Sequence, residues 1–148
     1  MQDPDLDLLI IAAKKAGAIA QKYDFRKLKV WEKDDAAGPV TEADLEIDLM
    51  LSQYLTSARP DYGWLCEEST LDIPHYEKKC SFVIDPIDGT QAFVTGKPLF
   101  GTLIALLHEG MPLIGMIDMP ALDERWVGAK GRQSLFKGKP ALTRSCHN

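Results

Sequence analysis

Two stretches near the start of the chain repeat apolar residues every three or four positions, which predicts two amphipathic helices. The first begins after Asp3-Pro4, a pair typical of a helix start, and runs to about Tyr23. The second follows a Thr41-x-x-Asp44 capping box and stops at Arg59-Pro60-Asp61. The apolar positions are Leu9, Ile10, Ala13, Ala16, Gly17 and Ala20 in the first helix, and Ile47, Met50, Leu51, Tyr54 and Leu55 in the second.

After Pro60 the pattern changes to short apolar runs separated by turn residues, which predicts β-strands. His108-Glu109-Gly110 predicts a hairpin between two of them. The predicted strands cover residues 63–66, 81–85, 102–107, 113–119, 125–129 and 134–137, with one more at 27–32 and a short helix at 91–94. Helices followed by strands in this order predict an α+β fold, in which two N-terminal helices pack on a largely antiparallel sheet.

Composition limits the classes of protein to which the chain can belong. With 148 residues, 45% hydrophobic and 26% charged, it has the content of one soluble domain. No apolar run approaches the roughly 20 residues that cross a bilayer, and the acidic start lacks the basic region of a secretory signal. A net charge of −5 disfavours nucleic-acid binding. The three cysteines lack C-x-x-C spacing, so we expect reduced thiols, a cytoplasmic location, and neither membrane nor nucleic acid as a partner.

The most informative segment is Asp85-Pro86-Ile87-Asp88-Gly89-Thr90, where an apolar strand ends in two carboxylates three residues apart. Ionised carboxylates beside an apolar strand are costly unless a positive group pairs with them, and no Lys or Arg lies between Ser81 and Gly96. A second acidic pair, Glu67-Glu68, also follows an apolar strand end. Four carboxylates converging at one edge of a sheet would suit Mg²⁺ or Ca²⁺, which prefer oxygen ligands. Taken together, the segments predict a metal site for phosphate hydrolysis.

Each segment also has a simpler interpretation. Asp-Pro and Asp-Gly are ordinary turn dipeptides, and two adjacent glutamates usually belong to a solvated loop. Thr41 and Asp44 are explained by the capping box alone. Lys33 has no feature that separates it from a surface charge. From the residues alone, an acidic metal site is therefore a hypothesis that competes with turns, a loop and a helix cap.

The order and spacing of three motifs resemble the inositol monophosphatase family. They are Pro39-Val40-Thr41-Glu42-Ala43-Asp44, Glu67-Glu68-Ser69, and residues 85–90 followed by Phe93. Within the family, the chain is most similar to the histidinol-phosphatase branch at Ala92-Phe93, Gly96, Pro98, residues 101–105, Pro120 and Glu124-Arg125-Trp126. The resemblance implies the first half of a layered αβαβα sugar-phosphatase fold. It also implies a Mg²⁺-dependent, lithium-sensitive phosphomonoesterase that is often a homodimer and acts on a small phosphorylated metabolite.

The resemblance also implies which residues bind the metal ions, two or three Mg²⁺ per site in the intact fold. Glu67, Asp85 and the backbone carbonyl of Ile87 would hold the ion that activates water. Asp85 would bridge to a second ion, shared with Asp88, that stabilises the leaving oxygen. Such ions lower the pKa of a bound water and clamp both ends of an in-line displacement.

Catalytic and phosphate-binding roles follow from the same resemblance. Glu67 and Thr90 would orient the attacking water, and Asp44 would accept the proton of the Thr90 hydroxyl. The backbone amides of Gly89 and Thr90 would hold the phosphate. Gln91 stands where histidinol phosphatases commonly carry a basic residue, and Cys66 stands where the family usually has glycine. A side chain at position 66 would strain the turn if its φ were positive.

The chain also lacks part of the family pattern. The second half of family members carries a W-D-x-A-A-type motif whose aspartate completes the second metal site, and neither Asp118 nor Asp123 lies in such a motif. We therefore expect residues 1–148 to be the N-terminal α+β metal-binding domain of a longer protein, without its C-terminal domain.

Three functions remain open at this point. The first is the hydrolysis of histidinol phosphate, as in histidine biosynthesis. The second is the hydrolysis of inositol 1-phosphate or of a nucleotide 3′-phosphate. The third is a catalytically incompetent module that binds metal or phosphate.

Overall fold

The computed structural model of the protein describes residues 4–33, 38–68 and 77–142. Its helices are α1 (Pro4–Ala20), α2 (Glu42–Ala58) and α3 (Thr90–Val94). Its strands are β1 (Val30–Glu32), β2 (Pro39–Thr41), β3 (Gly63–Cys66), β4 (Cys80–Asp88), β5 (Gly101–His108), β6 (Met111–Met119), β7 (Glu124–Ala129), β8 (Leu135–Phe136) and β9 (Lys139–Pro140). Short 3-10 turns lie at Phe25–Lys27 and Pro120–Leu122.

Seven strands form one sheet in the order β3-β4-β5-β6-β7-β8-β9. β3 runs parallel to β4, and each remaining neighbouring pair is antiparallel. β1 and β2 form a separate antiparallel hairpin. The predicted α+β fold with a largely antiparallel sheet is therefore confirmed.

The core lies between the two long helices and one face of the sheet. Helix residues such as Leu9, Ile47 and Leu51 are fully buried there, as are Phe82 and Ile104 from the sheet. Burial alternates along β4, β5 and β6, as it does in strands that cover a core on one side only. The opposite face of the sheet is not covered by α1 or α2.

Helix α2 begins at the predicted capping box. The backbone N–H of Asp44 donates to Thr41 Oγ1 (3.3 Å), and the backbone N–H of Thr41 donates to Asp44 Oδ2 (2.9 Å). Both side chains are fully buried, so the cap lies inside the protein and not on its surface. Helix α2 ends at Ala58, because the backbone of Arg59 is no longer helical.

Several sequence predictions need correction in detail. The strand expected over 27–32 is a 3-10 turn followed by β1, and β2 was not predicted because Pro39-Val40 is too short to show a periodicity. The strand expected over 134–137 is reduced to β8, which pairs with β9. Ser69 and Cys146 lie outside the described residues. Within the described ranges, no helix combines the length and apolarity needed to cross a membrane.

The β5–β6 hairpin agrees with its prediction. Glu109 and Gly110 have φ values of 50° and 76°, the left-handed pair of a type I′ turn. Cys66 lies in β3 and is absent from the positive-φ residues, so the strain expected from a side chain at this position does not arise. Neither Cys66 nor Cys80 forms a disulfide with another described residue.

Candidate active site

The end of β4 carries the segment from Asp85 to Thr90. Pairing with β5 is regular up to Asp85 opposite Leu103 and resumes at Asp88 opposite Gly101, with an irregularity between them. Proline lacks the N–H that a sheet ladder needs, which explains a break at Pro86. The break is fixed by Thr102, whose hydroxyl donates to the Pro86 carbonyl at 2.9 Å. The two aspartates are thus held on an anchored backbone.

Gly89 is required at its position for two reasons. Its φ of +81° is one that side chains disfavour, and a Cβ there would lie 2.7 Å from the backbone oxygen of Leu99. Gly89 also precedes α3, and its carbonyl accepts from the N–H groups of Ala92 (2.8 Å) and Phe93 (3.1 Å). The close approach of backbone around Gly89 fixes where Thr90 begins the helix.

The parallel pairing of β3 with β4 brings the second acidic pair to the same edge. Cys66 is opposite Ile84, so Glu67 follows β3 at the level where Asp85 follows in β4. The N–H of Glu67 donates to the Ile84 carbonyl at 3.2 Å, which fixes this register beyond the strand. The predicted convergence of two acidic strand ends is therefore present.

Asp44 and Thr90 approach the same place from the two helices. The Thr90 hydroxyl lies 3.5 Å from Asp44 Oδ1 and 2.8 Å from the Ile87 carbonyl, to which it donates. Burial raises the pKa of Asp44, while its hydrogen bonds with Thr41 oppose that rise. The carboxylate of Asp44 thus caps α2 with one oxygen and faces Thr90 with the other.

Three neighbouring carboxylates repel the negative charge of Asp85. Burial, followed by the negative charges of Glu67, Asp88 and Asp44, raises its pKa to about 7. Among the described residues, its buried Oδ1 has no hydrogen-bond partner. A buried acceptor without a donor, surrounded by other carboxylates, is a place where a cation would be stabilised.

Lys33 contributes the positive charge of the site, although its sequence context marked it only as a surface lysine. Its ammonium lies 2.7 Å from Glu67 Oε1 and also pairs with Glu68 Oε1, and only 17% of its side chain is exposed. Burial opposes the charge, but the hydrogen bonds with both glutamates outweigh it and raise the pKa of Lys33. Glu68 is itself buried, which raises its pKa against the effect of Lys33. The interpretation of Lys33 as a free surface charge is wrong.

The structure brings most of the predicted site residues together at one end of the sheet. Glu67, Asp88 and Asp44 all act on the charge of Asp85, and Thr90 contacts Ile87 and Asp44. No set of three His, Cys, Asp or Glu side chains in the described parts of the chain is already arranged to hold a metal ion. Lys33 pairs with the two glutamates, and the Thr90 hydroxyl is bonded to the Ile87 carbonyl.

The chain is similar in sequence to known phosphatases. A model of the inositol monophosphatase family matches residues 1–148. The "Bifunctional phosphatase IMPL2, chloroplastic" of Arabidopsis thaliana is 40% identical over 141 residues, which are 90% of this chain and 38% of that protein. A histidinol-phosphatase of Chlorobaculum parvum is 38% identical over 138 residues, which are 93% of this chain and 52% of that protein.

The fold of the chain is also similar to that of a solved structure. An inositol monophosphatase from Zymomonas mobilis superposes with a TM-score of 0.77 at 37% identity, over 97% of this chain and 54% of that chain. The predicted αβαβα relationship is thereby confirmed for the part that the chain contains. The chain spans about half the length of the relatives it matches, or less.

Proposed function

Because the chain belongs to the inositol monophosphatase family, we propose that it carries the metal-binding site of a Mg²⁺-dependent phosphomonoesterase. The observation that supports this most directly is the buried, unpartnered Oδ1 of Asp85 among three other carboxylates. Oxygen donors alone fit Mg²⁺ or Ca²⁺ better than they fit zinc. The residues present therefore suit the metal that the family implies.

We assign the metal ligands to Glu67, Asp85, the Ile87 carbonyl and Asp88, in one site that takes two or three Mg²⁺ ions. Bound Mg²⁺ would supply a water of lowered pKa and neutralise the charge of the phosphate. Lys33 must release Glu67 for that carboxylate to act as a ligand, and Thr90 must release the Ile87 carbonyl. Both are single hydrogen-bonded contacts of flexible side chains, so the rearrangement does not require the backbone to move.

We assign the catalytic roles to Glu67, Thr90 and Asp44. The Thr90 hydroxyl and Glu67 orient the attacking water, and Asp44 accepts the hydroxyl proton once Thr90 turns away from Ile87, since its Oδ1 is already 3.5 Å away. The amides of Gly89 and Thr90 bind the phosphate, for which the left-handed Gly89 lets the backbone approach an anion closely.

We propose histidinol phosphate as the substrate, because the relatives at 38–40% identity include a histidinol-phosphatase. The test is the release of inorganic phosphate by the purified protein from histidinol phosphate, inositol 1-phosphate and a nucleoside 3′-phosphate at equal concentration, with Mg²⁺ and with EDTA. We expect the highest kcat/KM with histidinol phosphate, and no phosphate release from any of the three esters in EDTA. Measurable phosphate release at the same rate with Mg²⁺ and with EDTA would contradict the proposal.

Inositol 1-phosphate is the second candidate, because the Zymomonas mobilis structure at 37% identity is an inositol monophosphatase. The same substrate panel separates it from the first candidate. Inhibition by Li⁺, which the family resemblance implies, is measured in the same assay.

The relatives are about twice as long as this chain, so we propose residues 1–148 as the N-terminal domain of the family fold. If the chain binds Mg²⁺ but releases no phosphate from any of the three esters, the catalytically incompetent module is the correct alternative. A cytoplasmic location is proposed from cysteine usage, and a homodimer from the family resemblance.

Replacing Lys33 with Met is expected to strengthen Mg²⁺ binding about fivefold, a change of roughly 1 kcal/mol, which is the upper end of the range for a solvent-exposed ion pair. The ammonium both repels a cation and bonds to Glu67, so its removal frees a ligand. Isothermal titration of the protein with MgCl₂ measures the change. Lys29→Met, on the exposed surface nearby, is the matched control and should leave the affinity unchanged. Weaker binding in Lys33→Met would show that Lys33 supports the metal site instead of competing with it.

A further inference from the structure

A bulge in β4 places the two aspartates of the candidate site on one face of the sheet. Asp85 is opposite Leu103, and Asp88 is opposite Gly101. Two residues of β4 therefore lie between these pairs where β5 has only Thr102, which makes the irregularity a β-bulge. Side chains alternate between the two faces of a strand, so residues three apart in a regular strand point in opposite directions. The extra residue cancels that alternation, and both carboxylates lie on the same face.

The bulge decides where Asp88 lies. In a regular β4, Asp88 would follow Phe82 and Ile84 on the face that α1 and α2 cover, where both of those residues are buried. Asp88 is exposed instead, and its negative charge acts on Asp85. A site that uses both aspartates therefore depends on the bulged register of β4.

The side chain of Thr102 stabilises this bulge. A bulge interrupts the ladder of backbone hydrogen bonds, and a buried carbonyl that loses its partner is costly. Pro86, within the bulge, is fully buried, and as a proline it has no N–H to donate. Thr102 is only 2% exposed, and its hydroxyl donates to the Pro86 carbonyl at 2.9 Å. The one residue opposite the bulge thus supplies a hydrogen bond where the regular pairing is interrupted.

We propose that Thr102 is a positioning residue of the metal site, whose hydroxyl holds β4 in the bulged register and so keeps Asp85 and Asp88 on one face. It acts through the backbone of Pro86. Strand β5 is also fixed on its other side, because a Cβ on Gly101 would lie 2.8 Å from the backbone oxygen of Asp118 in β6. The inference rests on the proposed metal site, whereas the bulge itself is present without metal.

The test is Thr102→Val, which keeps the branched shape of the side chain and removes the hydroxyl. Isothermal titration with MgCl₂ should show a Kd raised about tenfold or more, the effect typical of losing a group that orients metal ligands. Thr102→Ser keeps the hydroxyl and should restore the wild-type Kd. Thr56→Val is the matched control, because Thr56 Oγ1 donates to the Ser52 carbonyl at 2.6 Å inside α2. It removes the same kind of hydrogen bond and should leave the Kd unchanged.

Amide hydrogen exchange in EDTA, followed by NMR, is a readout that needs no metal. In Thr102→Val, the amides of Ile87 and Asp88 should exchange about tenfold faster or more, because the bulge opens locally, while exchange in β6 and β7 stays as in the wild type. Unchanged exchange at the bulge would overturn the role of the hydroxyl. If Thr102→Val does not fold, Thr102→Cys takes its place, because a thiol is a weaker donor. Its Kd should exceed that of Thr102→Ser, and equal values would contradict the proposal.

The titration separates this inference from the proposed function. A wild type that binds Mg²⁺ while Thr102→Val binds it equally well overturns the inference alone. So does a raised Kd that Thr102→Ser fails to restore, since the hydroxyl would then not be the cause. A wild type that binds no Mg²⁺ overturns the proposed metal site and the inference with it.

Discussion

Replacing Asp85 with Asn is expected to abolish phosphate release, lowering kcat by about a thousandfold or more, because this carboxylate is assigned to both metal ions. The substitution keeps the size of the side chain and removes only its charge. Titration with MgCl₂ gives a second readout, in which the variant should lose measurable binding. The exposed Asp61→Asn is the matched control and should alter neither value. Full activity in Asp85→Asn would remove this residue from the site.

The same variant is expected to stabilise the protein when no metal is present. The pKa of Asp85 is about 7 in the folded chain against an ordinary value of 3.8, so the folded state retains a proton that the unfolded state releases. This contribution to stability is complete below pH 3.8 and is lost as the pH rises through 7. Urea unfolding in EDTA should therefore show that the free energy of unfolding falls more between pH 5 and pH 8 for the wild type than for Asp85→Asn. Parallel losses in the two proteins would contradict the assigned pKa.

Replacing Gly89 with Ala is expected to have the second largest effect. A left-handed alanine costs roughly 1 kcal/mol, and the contact of its Cβ with the Leu99 oxygen at 2.7 Å adds roughly 1–3 kcal/mol of backbone strain. Displacement of Asp88 and Thr90 by about 1 Å should lower kcat by about a hundredfold. Thermal unfolding and the phosphate assay measure the two effects.

Gly110→Ala separates the cost of a left-handed φ from the cost of the close contact with the Leu99 oxygen. Gly110 also has a left-handed φ, of +76°, but a Cβ there meets nothing within 4 Å, and the β5–β6 turn is not part of the site. This variant should lose only about 1 kcal/mol of stability and no activity. If both variants lose the same stability, the close contact at Gly89 contributes nothing.

The fold was predictable because its elements are long enough to show a period. The apolar stripe of α1 and the Thr41-Asp44 cap of α2 define both helices, and the runs in β4 to β7 define four strands. Short elements without a period were missed, as β2 shows. The face of the sheet away from the helices was also hidden, because Ala105, Gly115 and Gly128 come to lie in one row only when three strands align.

The acidic part of the site was predictable, whereas its basic part was not. Asp85 and Glu67 follow apolar strands, and this position marks them in the sequence. Lys33 lies 34 residues before Glu67, and its pairing depends on how the β1–β2 hairpin lies against the sheet. A single sequence contains no local pattern for such a contact, so a lysine that pairs with two glutamates looks like any other.

The two oxygens of Asp44 couple folding to chemistry at one residue. One closes the cap that starts α2, and the other faces Thr90 in the site. Because we also assign Asp44 the role of proton acceptor, selection for a well-started helix and selection for turnover would act on the same carboxylate. Variation at position 44 in a screen for new substrate specificity would also cost roughly 0.5–2 kcal/mol of stability through loss of the cap, whereas Gln91 is exposed and caps no helix.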